Sequence, residues 1–365
     1  MSALPLRVVL AAGGTAGHIE PALNLADELI ALEPNVVITV IGGYLGLEST
    51  LVPERGYSLL SVPAVPMPRR ASLDMLLVWP RQRAAKRLAK AHLRDLKADV
   101  VVGFGGYAAL PTYLAARELR IPVVIHEANA RAGLANRVAA RFTSLVYVCV
   151  PGSLPAAKVM GLPLRPEIAG PQQADSKSNA LANFGLRVDQ PVLLVFGGSQ
   201  GAQHLNQAIS GALPDLLASG IQVLHAYGSR NLAPEASPGY VPIPYINRMD
   251  LAYAAADLAV TRAGAMTCAE LTAVGMPAIY VPLPIGNGEQ RLNALPIVDA
   301  GGGLLVSDAD CTAGWLAAMV PPLMHDSGRL ADMGGAARAL GNRGAGRQFA
   351  EVILQVAHAS KGEQK

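Results

Sequence analysis

Leu10-Ala-Ala-Gly-Gly-Thr-Ala-Gly17 and Leu194-Val-Phe-Gly-Gly-Ser-Gln-Gly201 are two copies of one pattern, about half the chain apart. In each copy an apolar run ends in Gly-Gly, a hydroxyl residue follows, and a further glycine precedes a stretch of helical periodicity. A strand that ends in glycines before a helix exposes backbone N–H groups at the positive end of the helix dipole, which favours phosphate binding. The repeat therefore predicts two doubly wound domains that each open with a glycine-rich turn.

Apolar, β-branched runs that lead into helical periodicity recur along the whole chain, as expected for parallel sheets covered by helices. The predicted strands lie at residues 7–12, 36–41, 99–102, 122–125, 191–196, 221–226, 258–261 and 278–281. The predicted fold class is α/β.

The domain boundary is predicted from composition. Residues 151–170 are rich in Pro and Gly, which indicates an interdomain connection. We expect a first domain at residues 1–163, to which a C-terminal helix at about 345–358 returns. The second domain is expected at 164–344. A polar tail at 360–365 is expected to be disordered.

The composition excludes several protein classes. The chain has 365 residues, of which 51% are apolar and 16% charged, so it can bury a large core and is not intrinsically disordered. No apolar run reaches the roughly 18 residues that a spanning helix needs, and the first apolar run is too short for a signal peptide. Three widely spaced cysteines suit a reducing compartment, so we expect a cytoplasmic protein. A formal charge of +3 gives no reason to expect nucleic acid binding.

The positive charge is concentrated in residues 69–97, which hold nine Lys and Arg against two Asp. An apolar stretch that includes Leu76, Leu77 and Trp79 begins this region, and Arg69, Arg70, Arg81 and Arg83 flank it. Apolar and basic groups in this arrangement suit an anionic bilayer surface. A solvated basic face over ordinary core is the alternative.

Two polar segments are candidates for acid–base chemistry. His18 stands at a predicted helix start, where the dipole disfavours imidazolium and leaves a neutral nitrogen that can accept a proton. His126-Glu127-Ala128-Asn129 follows a predicted strand, and polar residues at the carboxyl end of a parallel strand point into the ligand crevice. A hydrogen-bonding histidine and a polar loop are the respective alternatives.

Two further segments suit a nucleotide. Arg262-Ala-Gly-Ala265 follows a strand, and Glu270 lies in the next helix, near enough to accept hydrogen bonds from a ribose diol or simply to complement the helix dipole. Gly103-Phe-Gly105-Gly-Tyr-Ala108 formally fits a nicotinamide fingerprint, with Glu127 as its acid. That alternative leaves the glycine turns at Gly13 and Gly197 unexplained.

We expect no protein-bound catalytic metal and no cofactor. Asp308-Ala-Asp310 has the spacing of a metal-binding acid pair, but it precedes Cys311-Thr-Ala and is better interpreted as turn and helix-cap chemistry. The chain has no H-x-x-H pattern and no paired cysteines.

Six motifs occur in order: Gly-Gly-Thr-Ala-Gly-His18, Gly-Phe-Gly-Gly-Tyr107, His-Glu-Ala-Asn129, Gly-Gly-Ser-Gln-Gly201, Arg-Ala-Gly-Ala265 with Glu270, and Gly-Glu-Gln290 with Asn293-Ala294. Over residues 7–355 the chain thereby resembles the MurG family of N-acetylglucosaminyltransferases. The resemblance implies a GT-B fold, in which two Rossmann-like domains with parallel sheets face a central cleft. The amino-terminal domain would take the acceptor and the carboxyl-terminal domain the donor.

The implied reaction is an inverting transfer of N-acetylglucosamine from UDP-N-acetylglucosamine to undecaprenyl-diphosphate-N-acetylmuramoyl-pentapeptide (lipid I), giving lipid II and UDP. Such an enzyme serves peptidoglycan synthesis and hence cell shape and division. The resemblance also implies a peripheral position on the inner face of the cell membrane, contact with anionic lipid, and a place in a cell-wall synthesis complex.

The resemblance assigns site residues by position, with His18 and Glu127 as the catalytic pair. The acceptor diphosphate would meet Gly13, Gly14, Gly103, Gly105, Gly106 and His126. The donor would meet Thr15, Ala16, Gly17, Asn129, Arg165, Ser199, Gln200, Gly201, Ile246, Arg262, Ala265, Met266, Glu270, Gln290 and Asn293. Within this set, the Ile246 backbone would contact uracil and Glu270 the ribose.

The chain departs from the family pattern at four positions: Ala16, Ala128, Ala263 and Glu289. Glu289 adds a carboxylate beside the implied sugar site. Two other functions fit the same architecture. A sugar-nucleotide 2-epimerase needs acid and base groups around one substrate, and a sugar-nucleotide sensor binds without turnover.

Overall fold

The computed structural model describes residues 5–44, 46–65, 74–170, 176–198, 202–284 and 287–363. The chain divides into two compact units. Unit 1 comprises Met1–Leu164 and Gly344–Lys365, and unit 2 comprises Arg165–Arg343. The chain therefore passes between the units once within the Pro- and Gly-rich segment and once before the last helix.

Unit 1 contains one parallel sheet. Its strands are β1 (Arg7–Ala12), β2 (Val37–Gly42), β3 (Ser58–Ser61), β4 (Val100–Gly105), β5 (Val123–Glu127), β6 (Val146–Val148) and β7 (Lys158–Val159). Their order across the sheet is β3-β2-β1-β4-β5-β6-β7. The order reverses between β1 and β4, which makes their carboxyl ends the switch point where ligands bind in such sheets.

Unit 2 repeats this plan with six strands. They are β8 (Val192–Phe196), β9 (Gln222–Ala226), β10 (Tyr240–Ile243), β11 (Leu258–Thr261), β12 (Ala278–Tyr280) and β13 (Gly303–Leu305). All pairings are parallel, and the order is β10-β9-β8-β11-β12-β13. The predicted α/β fold with two doubly wound parallel sheets is confirmed.

Helices cover the faces of each sheet. In unit 1 they are α1 (Ala16–Leu32), α2 (Glu48–Glu54), α3 (Asp74–Leu96), α4 (Ala109–Glu118) and α5 (Leu134–Ala139). In unit 2 they are α6 (Pro166–Ala169), α7 (Ser176–Asn183), α8 (Gln203–Ala218), α9 (Met249–Ala255), α10 (Ala265–Val274), α11 (Glu289–Asp299), α12 (Ala313–Met324) and α13 (Ser327–Leu340). The last helix, α14 (Ala345–Glu363), belongs to unit 1. No helix within the described residues is both long and apolar enough to span a bilayer.

Side-chain alternation along the strands gives unit 1 two apolar layers. Leu10 and Val102 face α1 and α14, whereas Val9 and Val101 face the layer that contains Leu93 of α3. The eight predicted strands are all present. The missed strands β3, β6, β7, β10 and β13 have only two to four residues, too few for a distinct apolar period. Two predicted strands end later than expected, so Gly105, His126 and Glu127 lie inside strands.

The predicted disordered tail at residues 360–365 is corrected by α14, which continues to Glu363. Ser360 is buried, and the Lys361 ammonium donates to the Pro5 carbonyl at 2.8 Å. Residues 364–365 lie outside the described part of the chain. Phe349, also on α14, is fully buried with its ring centroid 5.0 Å from that of His126 and 5.3 Å from that of Tyr147. These contacts make α14 part of the unit 1 core.

Replacing Phe349 with Ala should destabilise unit 1. We expect the free energy of unfolding to fall by about 3–5 kcal/mol, the range for truncating a buried Phe to Ala. Hydrogen exchange in urea, resolved by peptide, should show the loss in unit 1 peptides only. Gln355→Ala, an exposed change on the same helix, is the control. Equal stability of the two variants would contradict the packing assigned to α14.

Candidate active-site groups in the two units

The first glycine turn follows β1 and holds a carboxylate of the protein itself. The N–H of Gly14 donates to Glu48 Oε2 at 3.0 Å, and the N–H of Gly43 donates to Glu48 Oε1 at 2.6 Å. Glu48 is 1% exposed at the start of α2. Sequence reasoning missed this residue. The available signal was an acid after Gly42-Gly43 and Gly46, at the end of a second predicted strand.

In the second glycine turn, at the end of β4, a backbone N–H group also bonds to a side chain of the protein. The N–H of Gly105 donates to the Tyr113 hydroxyl at 3.0 Å, and that hydroxyl lies 3.0 Å from Asn136 Oδ1, to which it donates. A Cβ at Gly103 would overlap the Tyr113 ring. Tyr113 and Asn136 were likewise missed by sequence reasoning, because their relation to the turn is set only by tertiary packing.

Glu127 ends β5 as a buried carboxylate whose two oxygens are both used. Oε1 accepts from the Asn129 N–H at 3.0 Å, and Oε2 accepts from the Gly133 N–H at 3.1 Å and Asn136 Nδ2 at 2.9 Å. These three N–H donors fix the position of both carboxylate oxygens. Glu127 thus provides a fixed negative charge.

His18 is half-buried in the first turn of α1. Its Nδ1 lies 3.1 Å from Thr15 Oγ1, and a Cβ at Gly105 would be 3.4 Å from Nε2. Burial lowers the pKa of His18, and this effect outweighs the opposing effects of the Glu127 charge, the Gly13 carbonyl and the Glu48 charge. The ring is therefore neutral at pH 7 and can accept a proton at Nε2.

Several groups predicted to bind the acceptor diphosphate make contacts within unit 1. The N–H groups of Gly14 and Gly105 already donate to Glu48 and Tyr113, and Gly103 lies within β4 against the Tyr113 ring. Gly13 is buried beside Glu48.

His126, also predicted as a ligand for the acceptor diphosphate, makes contacts within unit 1 as well. Its side chain is fully buried, its Nε2 is 3.0 Å from the Gly161 carbonyl oxygen, and burial lowers its pKa to about 4. By contrast, none of the hydrogen bonds in the described part of unit 1 uses the N–H of Ala16, Gly17 or Gly106. These three amides can meet an anion without breaking an existing bond.

In unit 2, the predicted ribose ligand Glu270 is buried on α10 and accepts the Tyr253 hydroxyl at 2.8 Å. Ala265 and Met266 start this helix and are half-buried, so their N–H groups face outward at the positive end of its dipole. The Ile246 side chain is buried, and its backbone groups take part in no hydrogen bond of the described residues. Ser199, Gln200 and Gly201 lie outside those residues.

Two amides on α11 bind the turn that precedes α10. Gln290 Oε1 accepts from the N–H groups of Ala263 and Leu283, at 3.2 Å and 3.0 Å. Asn293 Nδ2 donates to the Ala263 carbonyl at 3.3 Å. The oxygen of Gln290 is thus used to shape the turn, and its amide nitrogen is the group that can reach a ligand.

Arg262, which was predicted to bind the donor, makes contacts within unit 2. Its Nη1 lies 2.5 Å from Asp308 Oδ1 and donates to the Val281 carbonyl at 3.1 Å, and its side chain is buried. His204 Nδ1, at the start of α8, lies 3.6 Å from the same Asp308 oxygen. The guanidinium therefore joins the loops that follow β11, β12 and β13.

The Asp308-Ala-Asp310 segment is partly as predicted. Asp310 Oδ2 accepts the Ser307 hydroxyl at 2.5 Å, which is turn chemistry, but the cap of α12 is Thr312, whose Oγ1 accepts from the Trp315 N–H at 3.2 Å. The three cysteines are unpaired.

The comparisons with known proteins agree along the chain. The glycosyltransferase family 28 N-terminal domain matches residues 8–148, and the glycosyltransferase family 28 C-terminal domain matches residues 192–352. A protein of Mycolicibacterium smegmatis is 55% identical over 98% of this chain and 95% of its own length, and one of Rhodococcus opacus is 52% identical over 98% of both. Both are named UDP-N-acetylglucosamine--N-acetylmuramyl-(pentapeptide) pyrophosphoryl-undecaprenol N-acetylglucosamine transferase.

Solved structures show the same likeness. The crystal structure of Acinetobacter baumannii MurG is 29% identical, covers 96% of this chain and 100% of its own, and has a TM-score of 0.77. A calicheamicin glycosyltransferase, at 19% identity and a TM-score of 0.69, covers 97% of this chain and 99% of its own, and shares the fold.

Neutralising Asp308 should destabilise unit 2. Asp308→Asn leaves the buried Arg262 guanidinium without its counter-charge, so we expect the free energy of unfolding to fall by about 1–3 kcal/mol. Asp310→Asn, two residues away and exposed, should change it by less than about 0.5 kcal/mol. Denaturant titration of both variants measures the difference. Equal losses would remove Asp308 from its role as the partner of Arg262.

Proposed function

Since the chain belongs to glycosyltransferase family 28, we propose that it transfers N-acetylglucosamine from UDP-N-acetylglucosamine to undecaprenyl-diphosphate-N-acetylmuramoyl-pentapeptide. The observation that carries this proposal beyond the names of its relatives is His18, an imidazole whose pKa is lowered by burial and which is acted on by the charges of Glu127 and Glu48. The reaction serves peptidoglycan synthesis and releases UDP.

The chemical step needs one base and one leaving group. His18 Nε2 takes the proton of the attacking sugar hydroxyl, and the resulting oxygen bonds to the anomeric carbon of N-acetylglucosamine. The bond from that carbon to the diphosphate oxygen breaks, and its electron pair leaves with UDP. Attack from the face opposite the diphosphate inverts the anomeric configuration.

We assign the base to His18 and a supporting role to Glu127. Both oxygens of Glu127 accept N–H bonds, so proton uptake there would disrupt the loop that contains Asn129 and Gly133. Its charge raises the pKa of His18 and therefore stabilises the imidazolium that forms when the proton is taken. The division of labour is that of a base and its fixed counter-charge.

We propose that unit 2 holds the donor. The N–H groups of Ala265 and Met266, at the start of α10, would bind the diphosphate and stabilise the charge that develops as it leaves. Ser199, Gln200, Gly201 and Arg165 are proposed to join them. The Ile246 backbone would contact uracil, and Glu270 would contact the ribose.

We also propose ligands for the sugar of the donor. Asn129 and the amide nitrogen of Gln290 are proposed to hold it, together with Thr15, Ala16 and Gly17 at the start of α1. Gly17 and Gly106 supply N–H groups for the anionic parts of the substrates. Glu289 starts α11 next to Gln290 and accepts the Asn287 N–H at 3.1 Å, which holds its carboxylate at the turn.

The enzyme must reach an acceptor that stays in the bilayer, and we propose that α3 docks there. Ala85, Ala89 and Leu93 bury one face of this helix, whereas Leu77 is 47% and Trp79 74% exposed. Arg81 and Arg83 are exposed nearby, while Arg69, Arg70 and the Leu76 side chain lie outside the described residues. Docking of this kind is peripheral, at the inner face of the cell membrane, next to the other enzymes of cell-wall synthesis.

The function is tested by release of UDP with a short-chain lipid acceptor. A transferase releases one UDP per acceptor consumed and none without acceptor. A 2-epimerase converts the donor without any acceptor, and a sensor binds the donor with no turnover. Either of the last two results would refute the proposal.

The base is tested by His18→Ala. We expect turnover to fall by about 10²- to 10⁴-fold, the usual contribution of a general base, with little change in donor affinity. His358→Ala, an exposed histidine on α14, is the control and should keep full activity. Near-normal turnover of His18→Ala would remove it from the mechanism.

The docking surface is tested by reversing Arg81 and Arg83 to Glu. Each cation near an anionic surface contributes about 1 kcal/mol, so the double variant should bind anionic vesicles at least roughly 30-fold more weakly. Activity on a membrane-embedded acceptor should fall, and activity on a short-tailed acceptor should not. Arg94→Glu, in the last turn of the same helix, is the control. Equal loss on both acceptors would assign the two arginines to the fold or the active site.

A further inference from the structure

Glu48 lies in a cradle that only its carboxylate fills. A Cβ at Gly43 would lie 2.8 Å from Oε1, one at Gly13 would lie 2.9 Å from Oε1, and one at Gly42 would lie 2.9 Å from Cγ. A Cβ at Gly46 would overlap the carboxylate itself. Four glycines from two separate turns thus leave room for one buried acid. A carboxylate enclosed in this way is a built feature of the fold.

The cradle is joined to the catalytic helix by one short segment. Gly14, whose N–H donates to Glu48, has a φ of +90°, and Thr15 follows as the residue before α1. Thr15 then contacts the ring of His18. No more than four residues therefore separate the Glu48 contact from the proposed base.

The same turn is fixed from its other side by the end of β4. A Cβ at Gly106 would overlap the Gly13 carbonyl, so the two backbones are in close contact. The β4 end is in turn held through Gly105 by Tyr113. The turn at Gly13-Gly14 therefore has a rigid backbone wall on one side and the Glu48 carboxylate on the other.

We propose that Glu48 is a positioning residue for His18. Its carboxylate accepts the Gly14 N–H as a resident anion, so the Gly14 amide serves to hold the base and does not bind substrate phosphate. Charge-assisted bonds of this kind are short and about twice as strong as neutral ones, and they fix the backbone that carries α1. The inference rests on the proposed function, because it assigns a purpose to the position of His18.

The charge of Glu48 also acts on His18, whose pKa it raises. The acids that act on His18 are Glu127 from β5 and Glu48 from α2, and both charges oppose the lowering of its pKa by burial. Removal of the Glu48 charge leaves Glu127 alone, so the pKa of His18 falls further. The acid limb of the kcat–pH profile, where His18 becomes protonated, should therefore move to lower pH.

The test compares Glu48→Gln with Glu54→Gln, an exposed acid on the same helix. The amide keeps the size of the side chain but offers only one oxygen to two N–H donors. We expect kcat to fall by about 10- to 100-fold, in line with the cost of misplacing a catalytic group by about 1 Å, while the KM for the donor stays within about twofold. Glu54→Gln should match the wild-type protein in both constants.

A second variant keeps the negative charge of Glu48 but displaces its carboxylate. Gly46→Ala places a Cβ where the carboxylate lies, so it should lower kcat as Glu48→Gln does, and this variant decides the matter if Glu48→Gln does not fold. Gly314→Ala, which enters open space in α12, is its control. Near-normal kcat in either folded variant, or loss of kcat matched by an equal change in donor KM, would overturn the inference.

Two readouts separate this inference from the proposed function. If the wild-type protein shows no acceptor-dependent release of UDP, the proposed function fails. The position of His18 is then still tested by the ring ¹⁵N and ¹H signals of His18, which Glu48→Gln should shift and Glu54→Gln should not. Unchanged signals in Glu48→Gln would overturn the inference whatever the reaction.

Discussion

The structure of unit 1 depends on how the backbone N–H groups at the carboxyl ends of its parallel strands are satisfied. Such groups attract anions, and in an α/β fold they converge at the point where the strand order reverses. Here the protein supplies its own acceptors: Glu48 for the turn after β1 and Tyr113 for the turn after β4. Glu127 does the same for the loop after β5. Within the described part of unit 1, the N–H groups of Ala16, Gly17 and Gly106 take part in no hydrogen bond, and the first two lie at the α1 start next to His18.

In unit 2, the loops at the carboxyl ends of the strands are held by the cation of Arg262 and by the side-chain amides of Gln290 and Asn293. Arg262 forms an ion pair with Asp308 and donates to a neighbouring carbonyl. Gln290 and Asn293 bind the turn before α10. The N–H groups at the start of α10 are left to meet the donor diphosphate in the proposed reaction. In the described part of both units, polar groups near the ends of the strands hold loops in position.

The fold could be predicted from the sequence because the signals are local. A run such as Val192–Phe196 is apolar throughout, as a strand buried on both faces must be, and the glycine turn follows it directly. The site could be predicted only in part. Gly14 and Glu48 are 34 residues apart, and Tyr113 and Asn136 are 23 apart, so nothing in the local pattern connects them. The burial of His126 could not be predicted, because β5 continues two residues further than its apolar run and carries the ring into the core.

The central claim is that burial keeps His18 neutral, against the opposing charges of Glu127 and Glu48, so that the ring can accept a proton. It is tested most directly by an NMR titration of histidine-labelled protein, with the His18 signals assigned by their loss in His18→Ala. The account predicts a pKa below 6.5, the ordinary value for histidine, and a neutral ring with its proton on Nδ1 at pH 7. A pKa above 6.5, or a neutral ring protonated on Nε2, would contradict it.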